Sequence, residues 1–167
     1  RESLDCALAL QELVRMGVEN IITFDAHDPR VQNAIPLSGF ETVSPTYQFI
    51  KGLLRNVKDL QIDADHMMAI SPDEGGTNLA NVLGLDMGMF YKRRDYTKIV
   101  DGRNPIVAHE FLGSSVEGKD VIIIDDMISS GDSIIDVATE LKQRKANRIF
   151  AAATFGLFTN GEIRQSI

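Results

Sequence analysis

The run Val121-Ile-Ile-Ile-Asp-Asp-Met-Ile-Ser-Ser-Gly-Asp-Ser133 decides how the rest of this chain is read. Four apolar residues without alternation predict a strand buried on both faces, as in a parallel sheet. Two adjacent carboxylates, Asp125 and Asp126, then fall at the expected carboxyl end of the strand, where open α/β sheets bind ligands. Ser129, Ser130, Gly131, Asp132 and Ser133 follow as a small, hydroxyl-rich turn. Beyond it, Ile134, Val137, Ala138 and Leu141 mark the apolar stripe of a long helix. Backbone N–H groups left over at the start of that helix, together with its dipole, make a cradle for phosphate. The carboxylates suit sugar hydroxyls or a metal ion, so the combination points to a sugar phosphate. A plain buried strand capped by Asp and Ser uses the same letters. Two carboxylates side by side at a strand end, however, are costly without a partner.

Working outward, strand and helix patterns alternate along the chain and predict an α/β protein with a mostly parallel sheet flanked by helices. Ala7, Leu10, Leu13 and Val14 share one helical face, and Gly17 stops that helix. Residues 21–24 read as a strand ending at Asp25, and residues 46–57 as a helix. A strand over residues 66–70 breaks at Ser71-Pro72, and a helix over 77–84 follows. Residues 87–91, 106–111 and 149–154 read as further strands. Residues 36–45, with two prolines and a glycine, form the clearest boundary. Met67, Met68, Met87 and Met89 are expected to fill the core. His66 and His109 have no metal-ligand spacing and are expected to be packed or solvated.

The chain has 167 residues, enough for one ordinary domain or one domain and a piece of another. Its net charge of −7 argues against nucleic acid or an anionic membrane as the main partner. A single cysteine, Cys6, excludes an internal disulfide framework, fits a reducing, cytoplasmic setting, and reads as a small core residue of the first helix. No apolar run approaches the length of a membrane span, and the opening residues are not expected to be a signal peptide.

Three further motifs follow predicted strands. In Asp25-Ala26-His27 a carboxylate and an imidazole stand two residues apart at a strand end, where both can face a nucleotide and its metal. Alone, the same letters describe a turn Asp beside a solvated His. Ser71-Pro-Asp-Glu-Gly-Gly-Thr77 opens a helix, and its paired glycines, Gly75 and Gly76, let backbone N–H groups approach an anion. Read in isolation, it is equally a Gly-Gly turn with an Asp cap. Tyr91-Lys92-Arg93-Arg94 ends a strand before a polar segment over residues 95–104. Three consecutive cations are usually a solvated patch, but phosphoryl transfer needs cations at the developing charge.

The thirteen-residue run resembles the sugar-phosphate motif of type I phosphoribosyltransferases and phosphoribosyl pyrophosphate synthetases. The segment from Asp25 to Gln32, with Ile35-Pro36 after it, is similar to one that the synthetases carry and simple phosphoribosyltransferases generally lack. The resemblance covers essentially the whole chain and implies a ribose-phosphate diphosphokinase of type I phosphoribosyltransferase-like fold. Residues 1–36 are then the tail of an amino-terminal phosphoribosyltransferase-like domain, and residues 37–167 a sugar-phosphate-binding one. By resemblance, Asp125, Asp126, Ser129, Ser130, Gly131, Asp132 and Ser133 hold ribose 5-phosphate. Asp73, Glu74, Gly75, Gly76 and Thr77 face the diphosphate being transferred, and Lys92 and Arg94 are catalytic. His27 binds ATP, while Asp25, His27 and Asp73 meet magnesium (Mg2+). The family also implies a symmetric homo-oligomer. The chain departs from the synthetase pattern at Ser129, where many carry Asp, and at Asp132, where they carry Gly. The stretch between Gln32 and Pro36 is two residues short, and Ser38 replaces an acidic position. A type I phosphoribosyltransferase, or a non-catalytic regulatory relative of the synthetases, is the alternative.

Overall fold

The computed structural model describes residues 4–71, 77–94 and 106–159. The chain divides into two compact units, Arg1–Ile50 and Lys51–Ile167, with the division inside helix α2 (Thr46–Asn56).

The first unit opens with helix α1 (Asp5–Arg15), which ends where expected. Gly17 takes φ +99°, and the N–H groups of Gly17 and Val18 turn back to the carbonyls of Val14 and Leu13. Strand β1 (Asn20–Phe24) then pairs in parallel with β2 (Gly39–Val43), Asn20 opposite Gly39 and Phe24 opposite Val43. Strand β2 lies inside the segment read as a boundary. Its register places Gly39 against the Asn20 side chain, in a space that a Cβ would fill. A 3-10 turn over Pro29–Ala34 connects the two strands, and the Asp28 carboxylate caps it through the Arg30 N–H at 3.0 Å. Cys6, expected in the core, is exposed: it sits in the first turn of α1, one turn before Leu10, the buried residue of that helix.

The second unit is built on a five-stranded sheet of order β5-β4-β3-β6-β7. Its strands are β3 (Met67–Ser71), β4 (Asp86–Arg94), β5 (Ile106–Leu112), β6 (Asp120–Ile128) and β7 (Ile149–Gly156). Only the β4–β5 pair is antiparallel, so the sheet is mostly parallel, as expected. Helix α3 (Thr77–Leu83) links β3 to β4, and α4 (Asp132–Gln143) links β6 to β7. Val121, Ile122, Ile123 and Ile124 are all buried, which explains why the run shows no alternation. Val121 and Ile123 join Met68, Ile70, Val137 and Leu141 in one core cluster. By strand alternation, Ile122 and Ile124 serve the opposite face.

The chain runs from β3 outward through β4 and β5, then returns to place β6 on the other side of β3. This is a topological switch point, and the carboxyl ends of β3, β4, β6 and β7 lie at the same end of the sheet. No helix of the described residues is long and apolar enough to cross a membrane.

Candidate functional site

Strand β6 is longer than its apolar run. Met127 and Ile128 continue it past Asp125 and Asp126, paired with Phe155 and Gly156 of β7. The carboxylates therefore stand within the last part of the strand rather than closing it. Both are half-buried, and the Asp126 N–H donates to Asp125 Oδ1 at 2.9 Å. The turn is also shorter than expected, because Asp132 and Ser133 already belong to the first turn of α4.

Ser129, Ser130 and Gly131 make the turn itself. Gly131 takes φ +91° and ψ −10° as the residue that starts α4, and its carbonyl accepts from the N–H groups of Ile134 and Ile135 at 3.0 Å. A side chain there would cost about 1–2 kcal/mol through its Cβ in the left-handed region. Gly131→Val is expected to lower unfolding stability by that amount, which urea denaturation checks.

Asp132, the carboxylate that departs from the family pattern, is engaged locally. Ser130 Oγ donates to Asp132 Oδ2 at 2.8 Å, and the Asp132 N–H donates back to Ser130 Oγ at 3.4 Å. An acidic residue in the first helical turn also complements the helix dipole, so its charge is accommodated by the protein.

A small apolar pocket of about 10 Å³ lies at the switch point. Ile70 of β3, Phe90 of β4, Ile123 and Asp125 of β6, and Ser133, Ile134 and Val137 of α4 line it. The structure thus brings together Asp125 and Ser133, two of the expected sugar-phosphate residues, at one mostly apolar pocket. Phe90 and Ile134 are lining residues that the sequence shows only as strand and stripe positions. Nothing in a single chain separates an apolar residue lining a pocket from one in the core.

Lys92 and Arg94 fall in the last residues of β4, at the same end of the sheet as Asp125. Lys92 is opposite His109 in β5, and the register shifts between Arg93 and Arg94. The strand is longer than the sequence suggests, because β5 continues the ladder beyond Tyr91. Thr77 begins α3. Asp73, Glu74, Gly75 and Gly76 lie outside the described residues, as does the polar segment over 95–104.

In the first unit, Asp25 follows β1 with φ +53°, a left-handed backbone uncommon outside glycine. Its N–H donates to the Val43 carbonyl at 3.0 Å, and the Ala26 N–H donates to Thr42 Oγ1 at 3.0 Å. The turn carrying Asp25 and His27 is therefore pinned to the end of β2. Next to it, Arg30 makes a two-pronged ion pair with Asp28, Nε and Nη2 each 2.8 Å from a carboxylate oxygen. That guanidinium holds the Asp28 carboxyl below its ordinary range.

Among the described residues, no group of three or more His, Cys, Asp or Glu is placed to hold a metal ion. Magnesium usually takes one or two carboxylates, with waters and substrate phosphates completing its shell. Adjacent Asp125 and Asp126 supply hard oxygen donors of that kind, and the donor set fits an ion that arrives with phosphates.

Residues 50–162 match the phosphoribosyl transferase domain family. The chain belongs to that family. The resemblance to ribose-phosphate pyrophosphokinases is also borne out. The chain is 28% identical over 169 residues to the ribose-phosphate pyrophosphokinase of Chlorobaculum tepidum, covering 99% of this chain and 48% of that protein. Against the Vibrio parahaemolyticus protein of the same name, identity is 33% over 153 residues, covering 88% of this chain and 44% of the relative. The chain thus spans about half the length of the curated relatives it matches. The crystal structure of phosphoribosylpyrophosphate synthetase from Mycobacterium smegmatis has the same fold. Its TM-score is 0.71 at 21% identity, over 99% of this chain and 51% of that one.

Proposed function

We propose that this chain is part of a ribose-phosphate pyrophosphokinase. It would transfer the diphosphoryl group of ATP to the C1 hydroxyl of ribose 5-phosphate, giving phosphoribosyl pyrophosphate and AMP. One observation carries the reading over a simple phosphoribosyltransferase. The family match begins at residue 50, whereas the Chlorobaculum pyrophosphokinase aligns with 99% of the chain. Most of the first unit, with Asp25 and His27, therefore aligns with a synthetase and lies outside the transferase domain match.

In this reaction the C1 oxygen attacks the β-phosphorus in line, loses its proton, and displaces AMP, so no covalent enzyme intermediate forms. Asp125 and Asp126 engage the ribose hydroxyls. Ser129, Ser130, Gly131, Asp132 and Ser133 hold the 5-phosphate through the turn and the first turn of α4. The segment from Asp73 through Glu74, Gly75, Gly76 and Thr77 faces the diphosphate, and Lys92 and Arg94 meet the charge of the transition state. Asp25 and His27, with Asp73, attend ATP and its ion. Bound magnesium supplies charge neutralisation at the phosphates. Residues 1–36 form the tail of a preceding phosphoribosyltransferase-like domain, residues 37–167 are the sugar-phosphate domain, and the working enzyme is a cytoplasmic homo-oligomer.

Phosphorus NMR on the protein with magnesium, ATP and ribose 5-phosphate tests the reading. AMP should appear together with the diphosphate resonances of phosphoribosyl pyrophosphate. Ribose 5-phosphate binding without AMP would mark a binding or regulatory relative, and no change in either ligand would remove the sugar-phosphate assignment.

A further inference from the structure

After β7, residues 157–159 turn back onto the start of the turn that follows β6. The Leu157 N–H donates to the Ile128 carbonyl at 2.8 Å, and the Thr159 N–H donates to the Ser129 carbonyl at 3.1 Å. In a regular parallel ladder, amides two residues apart would reach carbonyls two residues apart. Here they reach consecutive carbonyls. Phe158, between them, makes up the difference by adopting φ +45°, an outlier for a bulky aromatic residue. Its ring lies back over Gly156, where an added Cβ would come within 2.8 Å of Phe158 Cζ. A backbone outlier that is held by two hydrogen bonds and a bare glycine points to a purpose at the site it touches.

We propose that residues 157–159 are a backbone brace for the turn over residues 129–131, with Phe158 and Thr159 as positioning residues for the sugar phosphate. The brace fixes the carbonyl side of Ile128 and Ser129, so that the rest of the turn can present its amides to an anion. The positioning role rests on the sugar-phosphate reading above; the brace itself does not.

Thr159→Pro removes the N–H donor and drives Phe158 out of the left-handed region, whereas Thr159→Ala keeps both. Amide exchange at Ile134 and Ile135, which both donate to Gly131, reports the turn, and Met68 and Ile70 report the sheet. In Thr159→Pro, exchange at Ile134 and Ile135 is expected to rise roughly tenfold with the β3 amides unchanged. Thr159→Ala should retain the wild-type pattern. Ribose 5-phosphate, titrated in the same samples, should bind the Pro variant about tenfold more weakly. Wild-type exchange at both isoleucines in Thr159→Pro would overturn the brace. If that variant also loosens β3, Gly156→Ala decides instead: it crowds the Phe158 ring with both bracing amides in place, and about threefold faster exchange is expected. A wild-type protein that ignores ribose 5-phosphate would sink the sugar-phosphate reading, while exchange would still decide the brace.

Discussion

Lys92→Ala is expected to slow AMP formation from ATP and ribose 5-phosphate by about 10²–10³-fold, equivalent to roughly 3–4 kcal/mol of transition-state stabilisation. Phosphoryl transfer gives the protein little covalent chemistry to do. Catalysis then rests on placing reactants and on meeting charge that spreads over the transferred oxygens. Lys92 lies near the end of β4, beside β3 in parallel register, so it shares the carboxyl edge with Asp125 and the start of α4. In the proposed reaction, the cation of Lys92 meets the diphosphate and the sugar phosphate stays in the β6 turn. Affinity for ribose 5-phosphate should consequently change by less than about twofold, because the lost contact belongs to the transition state. Single-turnover rates and a ribose 5-phosphate titration separate the two effects. If affinity falls as far as the rate, Lys92 is a ground-state contact and its catalytic role is lost.

The fold was legible wherever burial writes itself into composition. Val121, Ile122, Ile123 and Ile124 read as a strand covered on both faces, and the stripe of α4 with its Gly131 start announced the turn before it. What stayed hidden depends on partners distant in sequence. Strand β2 was lost among Pro36, Gly39 and Pro45, since a single parallel pairing with β1 is what makes it a strand. The extra length of β6 likewise comes from β7, whose backbone continues the ladder whatever side chains Asp125 and Asp126 carry. At the candidate site, the motif singled out Asp125 and Ser133, but their meeting at one small pocket with Phe90 follows from the switch in strand order. The capture of Asp132 by Ser130 follows from the helix starting earlier than its apolar stripe.

Asp120 is the residue that sequence reading passed over and that should matter most for stability. It opens β6 almost fully buried and takes Arg148 Nη2 at 2.6 Å and Nε at 3.1 Å, with Asn147 Nδ2 at 2.8 Å. The same guanidinium reaches the carbonyls of Lys58 and Asp59, so one ion pair ties β6, the entry to β7 and the segment after α2. Its partners Asn147 and Arg148 lie 27 and 28 residues further along the chain, so nothing next to Asp120 in the sequence marks it as paired. Asp120→Asn keeps the shape but turns an amide N–H₂ toward the guanidinium, setting donor against donor. The expected loss is about 1.5–3 kcal/mol near pH 7, discounted from a fully buried pair because the arginine side is partly open to water. The Arg148 hydrogen bonds hold the Asp120 carboxyl below its ordinary 3.8. A depressed carboxylate stabilises the fold fully above its unfolded pKa, and that contribution fades as pH falls through the folded value. Wild type and Asp120→Asn should therefore differ most from about pH 5 upward and converge in more acidic solution. Urea midpoints measured across that range, at constant m, provide the check. A gap that stays the same down to strongly acid pH would mean that packing, not the charge on Asp120, holds this corner of the sheet.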